Sequence, residues 1–111
     1  MPLQMRTRPD GRMPKGLKVE DLKVGDGPAA RRGDIVEVRY SIRLRGGELV
    51  REGVQRGLVL GARRAFDGFE RGIEGMQAGG ARRLLVPPHL AYRDDRVLIC
   101  ELELLSIQAY R

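Results

Sequence analysis

The alternation of apolar and polar side chains is most regular over residues 34–44 and predicts a strand there. One face would carry Val36, Val38, Tyr40, Ile42 and Leu44. A period of two sustained over nine consecutive residues is typical of an antiparallel strand with one buried face. Gly46 and Gly47 follow and predict a type I′ hairpin turn, because both central residues of that turn need positive φ. Residues 48–51 would then form the returning strand.

Three further segments have strand patterns, and a short apolar run lies between them. The strand patterns cover residues 17–22, 81–86 and 97–107, and the apolar run covers residues 58–60. In the last strand Leu98, Cys100, Leu102 and Leu104 would point inward, and Glu101 and Glu103 outward. Pro87 and Pro88 would end the strand over 81–86, because proline cannot donate to a ladder. Residues 89–92 would form at most one helical turn.

A single helix is predicted, over residues 65–74. Phe66, Phe69 and Ile73 recur at i, i+3 and i+7 and would project from one face. Gly68 and Gly72 each cost a helix about 1 kcal/mol relative to alanine, so packing against a sheet must stabilise it. The elements together predict an α+β fold in which a curved antiparallel sheet wraps around one short helix.

Length and charge divide the chain into a tail and one domain. The 111 residues suffice for one modest core. Half of the net charge of +6 comes from residues 1–16, where four basic residues stand against Asp10. We therefore expect a flexible basic tail over residues 1–16 and a domain over residues 17–111. The charge left on the domain argues only weakly for nucleic-acid binding, and tryptophan is absent as a base-stacking platform.

Several chemistries lack the residues that they need. The single cysteine excludes an internal disulfide, which suits a reducing cytoplasm. Cys100 and His89 are the only soft ligands, so a structural zinc site cannot be assembled, and we expect neither a metal nor a cofactor. No apolar run reaches the roughly 18 residues of a membrane-spanning helix, and the N-terminus lacks the apolar stretch of a secretory signal. We expect a cytoplasmic protein that does not engage membranes.

Five sequence segments carry a resemblance to a known family. They are LKVEDLKVGDG, GDIVEVRYSIRL, GFERGIEGM, RRLLVPPHLAY and LICELELL. In this order and spacing they resemble a single FKBP-type peptidyl-prolyl isomerase domain over residues 17–107. The resemblance implies five or six antiparallel strands curled around one helix, an apolar cleft between them, and a monomer without a cofactor. It also implies binding of proline-containing segments or unfolded chains, with macrolides as candidate ligands.

The resemblance assigns parts of this cleft to individual residues. Tyr40, Phe69 and Tyr92 would be the catalytic residues: Tyr40 as a wall, Phe69 as the floor, and Tyr92 as a hydroxyl donor to the ligand. Phe69 stands where the best-known members have tryptophan. Ala65 and Phe66 would lie where the chain enters the helix, with the Phe66 N–H donating to a ligand carbonyl.

Other positions of the expected cleft depart from the family pattern. Val50 and Arg51 align with a Phe-Asp pair, Cys100 aligns with a phenylalanine of the final strand, and residues 93–96 replace a longer loop. We expect these changes at the substrate-binding positions to make the cleft shallower, wider and more basic. The arginines in segments that border it are Arg51, Arg56, Arg63, Arg64, Arg93 and Arg96. They favour ligands with acidic residues beside a proline.

The sequence thus supports a peptidyl-prolyl isomerase of reduced activity that acts on exposed X–Pro bonds of flexible chains. An apolar site favours the twisted amide of the transition state, which is less polar than the planar amide. One alternative is a non-catalytic module that binds peptides as a chaperone or adaptor, which the departures at Val50, Arg51 and Cys100 favour. The other is a nucleic-acid or ribosome-associated protein that uses the basic tail, with binding that falls steeply with salt.

Overall fold

A computed structural model describes residues 14–109 as strands arranged around one α-helix. The elements in chain order are β1 (Lys18–Lys23), β2 (Asp26–Ala29), β3 (Ile35–Leu44), β4 (Leu49–Val59), α1 (Asp67–Ile73), β5 (Gln77–Ala78), β6 (Ala81–Val86) and β7 (Leu98–Gln108). A single 3-10 turn at Pro88–Leu90 separates β6 from β7. The strand predictions near residues 17–22, 34–44, 81–86 and 97–107 are confirmed to within two residues at each end.

The main sheet has five strands in the order β1-β6-β7-β3-β4, and every neighbouring pair is antiparallel. The helix packs on one face of this sheet, which confirms the α+β fold with a sheet around one helix. A second, two-stranded sheet joins β2 to β5. The pattern did not predict this small sheet, because Asp-Gly-Pro-Ala in β2 has no apolar alternation and all four residues are exposed.

The hydrophobic core lies between α1 and the inner face of the sheet. Its strand residues are Val36, Val38, Ile42, Leu58, Leu84, Val86, Leu98, Cys100, Leu102 and Leu104. The predicted inward positions of β7 are therefore all buried, while Glu101 and Glu103 are exposed. The helix adds Phe69 and Ile73. Burial of such side chains stabilises a fold by roughly 1.5–3 kcal/mol each.

The β3–β4 hairpin turns differently from the predicted type I′ turn. Gly47 has positive φ, at 100°, but Gly46 lies outside the left-handed region. The Gly47 N–H donates to the Leu44 carbonyl at 2.8 Å, and the Leu44 N–H donates to the Glu48 carbonyl at 2.9 Å. This is a longer hairpin loop with one left-handed glycine, a common alternative to the two-residue turn. The type I′ prediction was wrong because only one of the two glycines needs the left-handed conformation.

Strand β4 is one long strand with two bulges, although the pattern predicted a short strand followed by a separate apolar segment. The register with β3 shifts at Val50 and again beside Gly57, which has φ of 65°. A bulge adds a residue to one strand and breaks the alternation of its side chains. The apolar residues of β4 therefore show no regular period, and the two segments looked unrelated in the sequence.

Two glycines let the helix lie directly on β6. A Cβ at Gly68 would meet a methyl group of Val86, and a Cβ at Gly72 would meet methyl groups of Leu84. These glycines lower the intrinsic stability of the helix, but they allow α1 and β6 to approach closely. The helix begins at Asp67 because Phe66 is extended, with φ −68° and ψ 156°, so the predicted range of 65–74 was too long.

A buried arginine on β6 closes the C-terminal end of the helix. The Arg82 guanidinium donates to the carbonyls of Gly72 and Glu74, each at 2.9 Å, and to the Asp21 carboxylate at 2.7 Å. The last carbonyls of a helix have no partner inside the helix, so these bonds satisfy groups that would otherwise need water. Arg82 therefore ties α1 to β6 and β1.

The predicted tail falls largely outside the described residues, which begin at Pro14. Residues 14–16 contact the domain: the Leu17 N–H donates to the Pro14 carbonyl at 3.1 Å. The Lys15 carbonyl lies 3.1 Å from Nε2 of His89. Within residues 14–109, no helix has the length and hydrophobicity needed to cross a bilayer.

Candidate active site

Four aromatic rings form a continuous row along the helix and the sheet. Tyr40 contacts Phe69 with ring centroids 5.5 Å apart, Phe69 contacts Phe66 at 5.6 Å, and Phe66 contacts Tyr92 at 5.1 Å. Every contact is an edge-on packing, which aromatic rings prefer over a face-to-face sandwich. These are the four rings that the sequence predicted for a cleft, so the fold brings the predicted aromatic residues together. We call them the aromatic row.

Each ring of the aromatic row comes from a different part of the fold. Tyr40 lies on the inner face of β3, opposite Gly53 on β4 and Leu102 on β7. Phe69 is in the first turn of α1 and only 3% exposed, so it forms a floor. Phe66 precedes the helix and is half-buried. Tyr92 follows the 3-10 turn and is 43% exposed, so a ligand would meet it from solvent.

Two hydrogen-bond donors stand near one end of the aromatic row without a partner in residues 14–109. The Phe66 N–H precedes the helix and makes no hydrogen bond there, although the amides of Ala65 and Arg64 both do. The Tyr92 hydroxyl is likewise unengaged within this part of the chain. Because polar groups in a ligand site fix the orientation of the ligand, these two donors suit a peptide carbonyl.

A buried carboxylate, which the sequence did not single out, holds the loop before the helix. Glu70 is 4% exposed, and its oxygens accept hydrogen bonds from the N–H groups of Gly61, Arg64 and Ala65 at 2.8–2.9 Å. A carboxylate that accepts several backbone N–H groups makes strong, charge-assisted bonds. Glu70 therefore positions Ala65 and Phe66. On a short helix this residue resembles any solvated charge, and no sequence signal distinguished it.

The bulge at Val50 places Arg51 on the same sheet face as Tyr40, at one end of the aromatic row. It leaves Val50 without a partner on β3 and sets Arg51 opposite Ile42, next to the Tyr40–Gly53 pair. Directly paired residues share a sheet face, so Arg51 lies on the inner face with Tyr40. Bulges are frequent beside functional sites, where they redirect a side chain. Val50 packs half-buried against the core, and Arg51 is exposed.

Cys100 lies beneath the site and does not line its surface. Its side chain is fully buried on β7, between Ile42 and Leu84 on the neighbouring strands. Burial raises the pKa of the Cys100 thiol to about 12, so it stays protonated at neutral pH. A ligand cannot touch Cys100 in this arrangement, in contrast to the substrate-binding role that the resemblance implied. The residue supports the sheet under the aromatic row.

The short segment after Tyr92 is held by its own hydrogen bonds. Asp94 accepts from the Arg96 backbone N–H at 2.9 Å and from the Arg96 Nε at 2.7 Å. The backbone N–H of Arg96 is the main cause of a lowered Asp94 pKa, so this carboxylate stays charged. The Arg96 guanidinium lies 5.8 Å from the centroid of the Tyr92 ring, within reach of a cation–π contact. The segment thus places a cation over the Tyr92 ring.

Other features of the surface offer less to a ligand. A concavity of about 150 Å³ lies over β1, β6 and β7, between the side chains of Lys18, Val19, Glu20, Arg83, Leu84, Leu85 and Ile99. Its charged edge residues Arg83 and Glu20 already pair with each other at 3.0 Å. Among residues 14–109 no group of three or more histidine, cysteine or acidic side chains could hold a metal ion. The aromatic row is therefore the best candidate site.

Comparisons with known proteins agree with this fold. The model of the family described as FKBP-type peptidyl-prolyl cis-trans isomerase matches residues 27–100. An FK506-binding protein of Streptomyces anulatus is 38% identical over 91 residues, which cover 78% of this chain and 73% of that protein. FK506-binding protein 4 of Aspergillus fumigatus is 42% identical over 81 residues, or 70% of this chain but 17% of that protein.

Solved structures give the same result at the level of the fold. The crystal structure of AtFKBP13 superposes with a TM-score of 0.77 at 26% identity and covers 86% of this chain and 95% of that one. A peptidyl-prolyl cis-trans isomerase from Pseudomonas syringae gives a TM-score of 0.73 at 27% identity, with 86% of this chain and 77% of that one covered. The sheet, the helix and the aromatic row define a small α+β domain. The chain belongs to the FKBP-type peptidyl-prolyl cis-trans isomerase family.

Proposed function

We propose that this domain is a peptidyl-prolyl cis-trans isomerase that acts on X–Pro bonds laid across the aromatic row. The main support is that four aromatic rings are in continuous contact. Two donors without a partner in residues 14–109, the Phe66 N–H and the Tyr92 hydroxyl, lie near one end of this aromatic row. Membership of the isomerase family supports the same activity. The chain spans 17% of the length of the Aspergillus relatives that it matches.

The chemistry follows from the electronic structure of the amide. Resonance keeps an X–Pro bond planar, with a barrier of about 18–20 kcal/mol to rotation. The twisted transition state has lost its charge-separated resonance form, so an apolar surface stabilises it relative to the planar ground state. In this proposal Tyr40 and Phe69 contact the prolyl ring, while the Phe66 N–H and Tyr92 hydroxyl hold flanking carbonyls. The rotation itself needs no covalent intermediate.

A second candidate is a peptide-binding module with little or no catalysis. Two observations favour it: Arg51 is a cation on the inner face beside Tyr40, and Cys100 adds no surface to the site. A charged side chain keeps water near the amide, which weakens the preference for a less polar transition state. For this reason we propose a reduced catalytic rate.

An isomerisation assay separates these candidates. Full-length protein is added to a Leu-Pro peptide, and the cis-to-trans rate is followed with a coupled protease or by NMR exchange. An isomerase accelerates the reaction, and a double variant with Phe69→Leu and Tyr92→Phe loses the acceleration while it stays folded. The matched control is Arg43→Gln on the outer face of β3, which keeps the full rate. Binding without acceleration supports the peptide-binding module, and neither binding nor acceleration refutes both candidates.

We propose that the natural substrates are proline-containing segments of flexible or unfolded chains, and that the domain works as a monomer, with chaperone action on such chains. A macrolide of the FK506 type is a candidate competitor, because the relatives are named for binding FK506. A cytoplasmic location is also proposed, which suits the free, buried thiol of Cys100. Competition by the macrolide in the isomerisation assay tests the ligand.

A further inference from the structure

Three arginines of the outer sheet face are paired with carboxylates, whereas Arg43 on that face has no carboxylate partner within residues 14–109. Arg39 contacts Glu103 at 2.9 Å, and Arg83 contacts both Glu20 and Glu101 at 3.0 Å. Arg56 was expected beside the site, but it contacts Glu37 at 2.7 Å, and Glu37 alternates with two buried inner-face valines. Arg56 therefore belongs to the outer face. These charges are balanced within the domain and leave little net attraction for a partner.

The arginines around the aromatic row are not balanced in this way. Arg51 lies beside Tyr40 at one end, and Arg63, Arg64 and Arg93 lie in the turns next to Phe66 and Tyr92 at the other. All four are exposed, and none has a carboxylate partner among residues 14–109. Arg31, Arg32, Arg43 and Arg45 also have none in that range. The position of the four around the aromatic row, rather than the missing partner alone, distinguishes them.

Two of these arginines occupy backbone positions that favour glycine. Arg63 has φ of 61° and Arg93 has φ of 63°, and within residues 14–109 they are the only non-glycine residues with positive φ. The left-handed conformation is costly for a residue with a Cβ. Residues kept in such conformations cluster at binding and active sites. Arg93 directly follows Tyr92 and Arg63 precedes Phe66 by three residues, and both carry a cation.

Nearby carboxylates offset this charge only in part. Asp94 forms an ion pair with Arg96, so the charges of these two residues cancel. Asp67, at the start of the helix, and Asp95 are exposed, and their two negative charges offset two of the four arginine charges. The surface around the aromatic row therefore keeps a net positive charge at both of its ends.

We propose that the preferred ligands are prolyl segments with aspartate or glutamate on both sides of the proline. This inference rests on the proposed function and specifies its substrate class. The X–Pro unit would lie on the aromatic row, Arg51 would face an acidic residue on one side, and Arg63, Arg64 and Arg93 an acidic residue on the other. Complementary charge at the edge of an apolar site raises the association rate and sets specificity.

The test compares three peptides that differ only in the flanking residues of one Leu-Pro core: glutamate, glutamine or lysine on both sides. Dissociation constants are measured by titration of the full-length protein at low and at high salt. At low salt we expect the glutamate peptide to bind about 10-fold more tightly than the glutamine peptide, and the lysine peptide to bind most weakly. High salt should remove most of the difference, because exposed charges are screened.

Variants assign the effect to the proposed arginines. Arg51→Gln combined with Arg93→Gly removes one cation at each end, and the glycine also suits the left-handed backbone at residue 93. The affinity ratio between glutamate and glutamine peptides should fall toward one. Arg43→Gln removes one cation from the outer face and should leave the ratio intact. Circular dichroism and the unfolding midpoint confirm that each variant is folded.

The outcomes distinguish this inference from the function on which it rests. Equal affinities for the three peptides, with binding intact, overturn the acidic preference and leave the isomerase proposal standing. Absence of binding by every peptide refutes both. A single-stranded RNA oligomer serves as a further competitor. If it displaces the glutamate peptide and binds more tightly through the same arginines, the positive charge serves nucleic acid, and the acidic-peptide proposal is wrong.

Discussion

The two sides of helix α1 differ in how closely they meet the rest of the domain. On one side Gly68 and Gly72 lie directly against Val86 and Leu84 of β6, with no room for a further methyl group. On the other side Phe66 and Phe69 continue a row of rings that reaches the exposed Tyr92. The closed side fixes the helix, and this lets the open side present a rigid aromatic surface. Substitutions on the closed side should therefore change the stability of the domain, and substitutions on the open side should change ligand binding.

The largest expected effect is the protection of Cys100 from thiol reagents. At pH 8 a thiol with a pKa of about 12 has roughly 1000-fold less thiolate than one at its ordinary value of 9.0. Its complete burial adds steric protection. Labelling with a thiol reagent should therefore be at least that much slower in the native protein than in urea. Rapid labelling of the native protein would contradict a closed core beneath the aromatic row.

Removal of the Arg82 guanidinium should cause the largest loss of stability on the closed side. Arg82→Met leaves the Gly72 and Glu74 carbonyls without this donor and breaks the contact with Asp21, which should lower the free energy of unfolding by about 3 kcal/mol. Urea unfolding measures the change. The control is Arg83→Met on the outer face of the same strand, where exposed ion pairs contribute about 0–1 kcal/mol. Similar losses for the two variants would refute the anchoring role of Arg82.

A single added methyl group at the helix–sheet contact should cost less. Gly72→Ala improves helix propensity by about 1 kcal/mol, but the methyl group collides with Leu84 at a cost of about 2 kcal/mol, so we expect a net loss of about 1 kcal/mol. Gly46→Ala is the matched control, because a Cβ at that position meets nothing within 4 Å. Urea unfolding should show a change below about 0.5 kcal/mol for this control. A Gly72→Ala variant as stable as the parent would show that the closed side has room.

The smallest effect should come from the open side. Tyr92→Phe removes one exposed hydroxyl without changing the ring packing, so stability should stay within about 0.5 kcal/mol. Loss of one hydrogen bond to the ligand should weaken binding of a prolyl peptide about 3- to 10-fold. Titration and urea unfolding measure the two quantities. Unchanged affinity would show that the hydroxyl does not bind the ligand. A large loss of stability would show that Tyr92 has a structural role.

Strand and helix patterns predicted the fold, but not the features that connect its parts. Period-two alternation located β3 and β7, because each buries one face along its length. The bulges of β4 escaped prediction, since an inserted residue reverses the alternation on which the prediction depends. Glu70 and Arg82 escaped for another reason. A charged residue on an amphipathic element is usually solvated, and only the tertiary structure shows that these two are buried with backbone partners.

The sequence predicted which aromatic residues come together, but it was less accurate for the other residues assigned to the cleft. Tyr40, Phe66, Phe69 and Tyr92 come together as expected, because Tyr40 lies on the inner sheet face, Phe69 in the helix, and the other two rings pack in line with Phe69. Cys100 and Arg56 were expected at the cleft, but one is buried and the other pairs with Glu37 on the outer face. A resemblance to a family predicts which positions of the chain correspond to which positions of the fold. It does not predict burial or ion pairing, because these depend on neighbouring side chains that differ between members.

The most direct measurement is an NMR titration of isotope-labelled protein with a short Leu-Pro peptide. If the open side of the helix is the ligand site, the largest shifts will be at the Phe66 amide and at the ring signals of Tyr40, Phe66, Phe69 and Tyr92. Signals of Leu85 and Ile99, which line the concavity on the far side of the sheet, will stay in place. Shifts confined to that concavity, or none at saturating peptide, would contradict the assignment of function to the aromatic row.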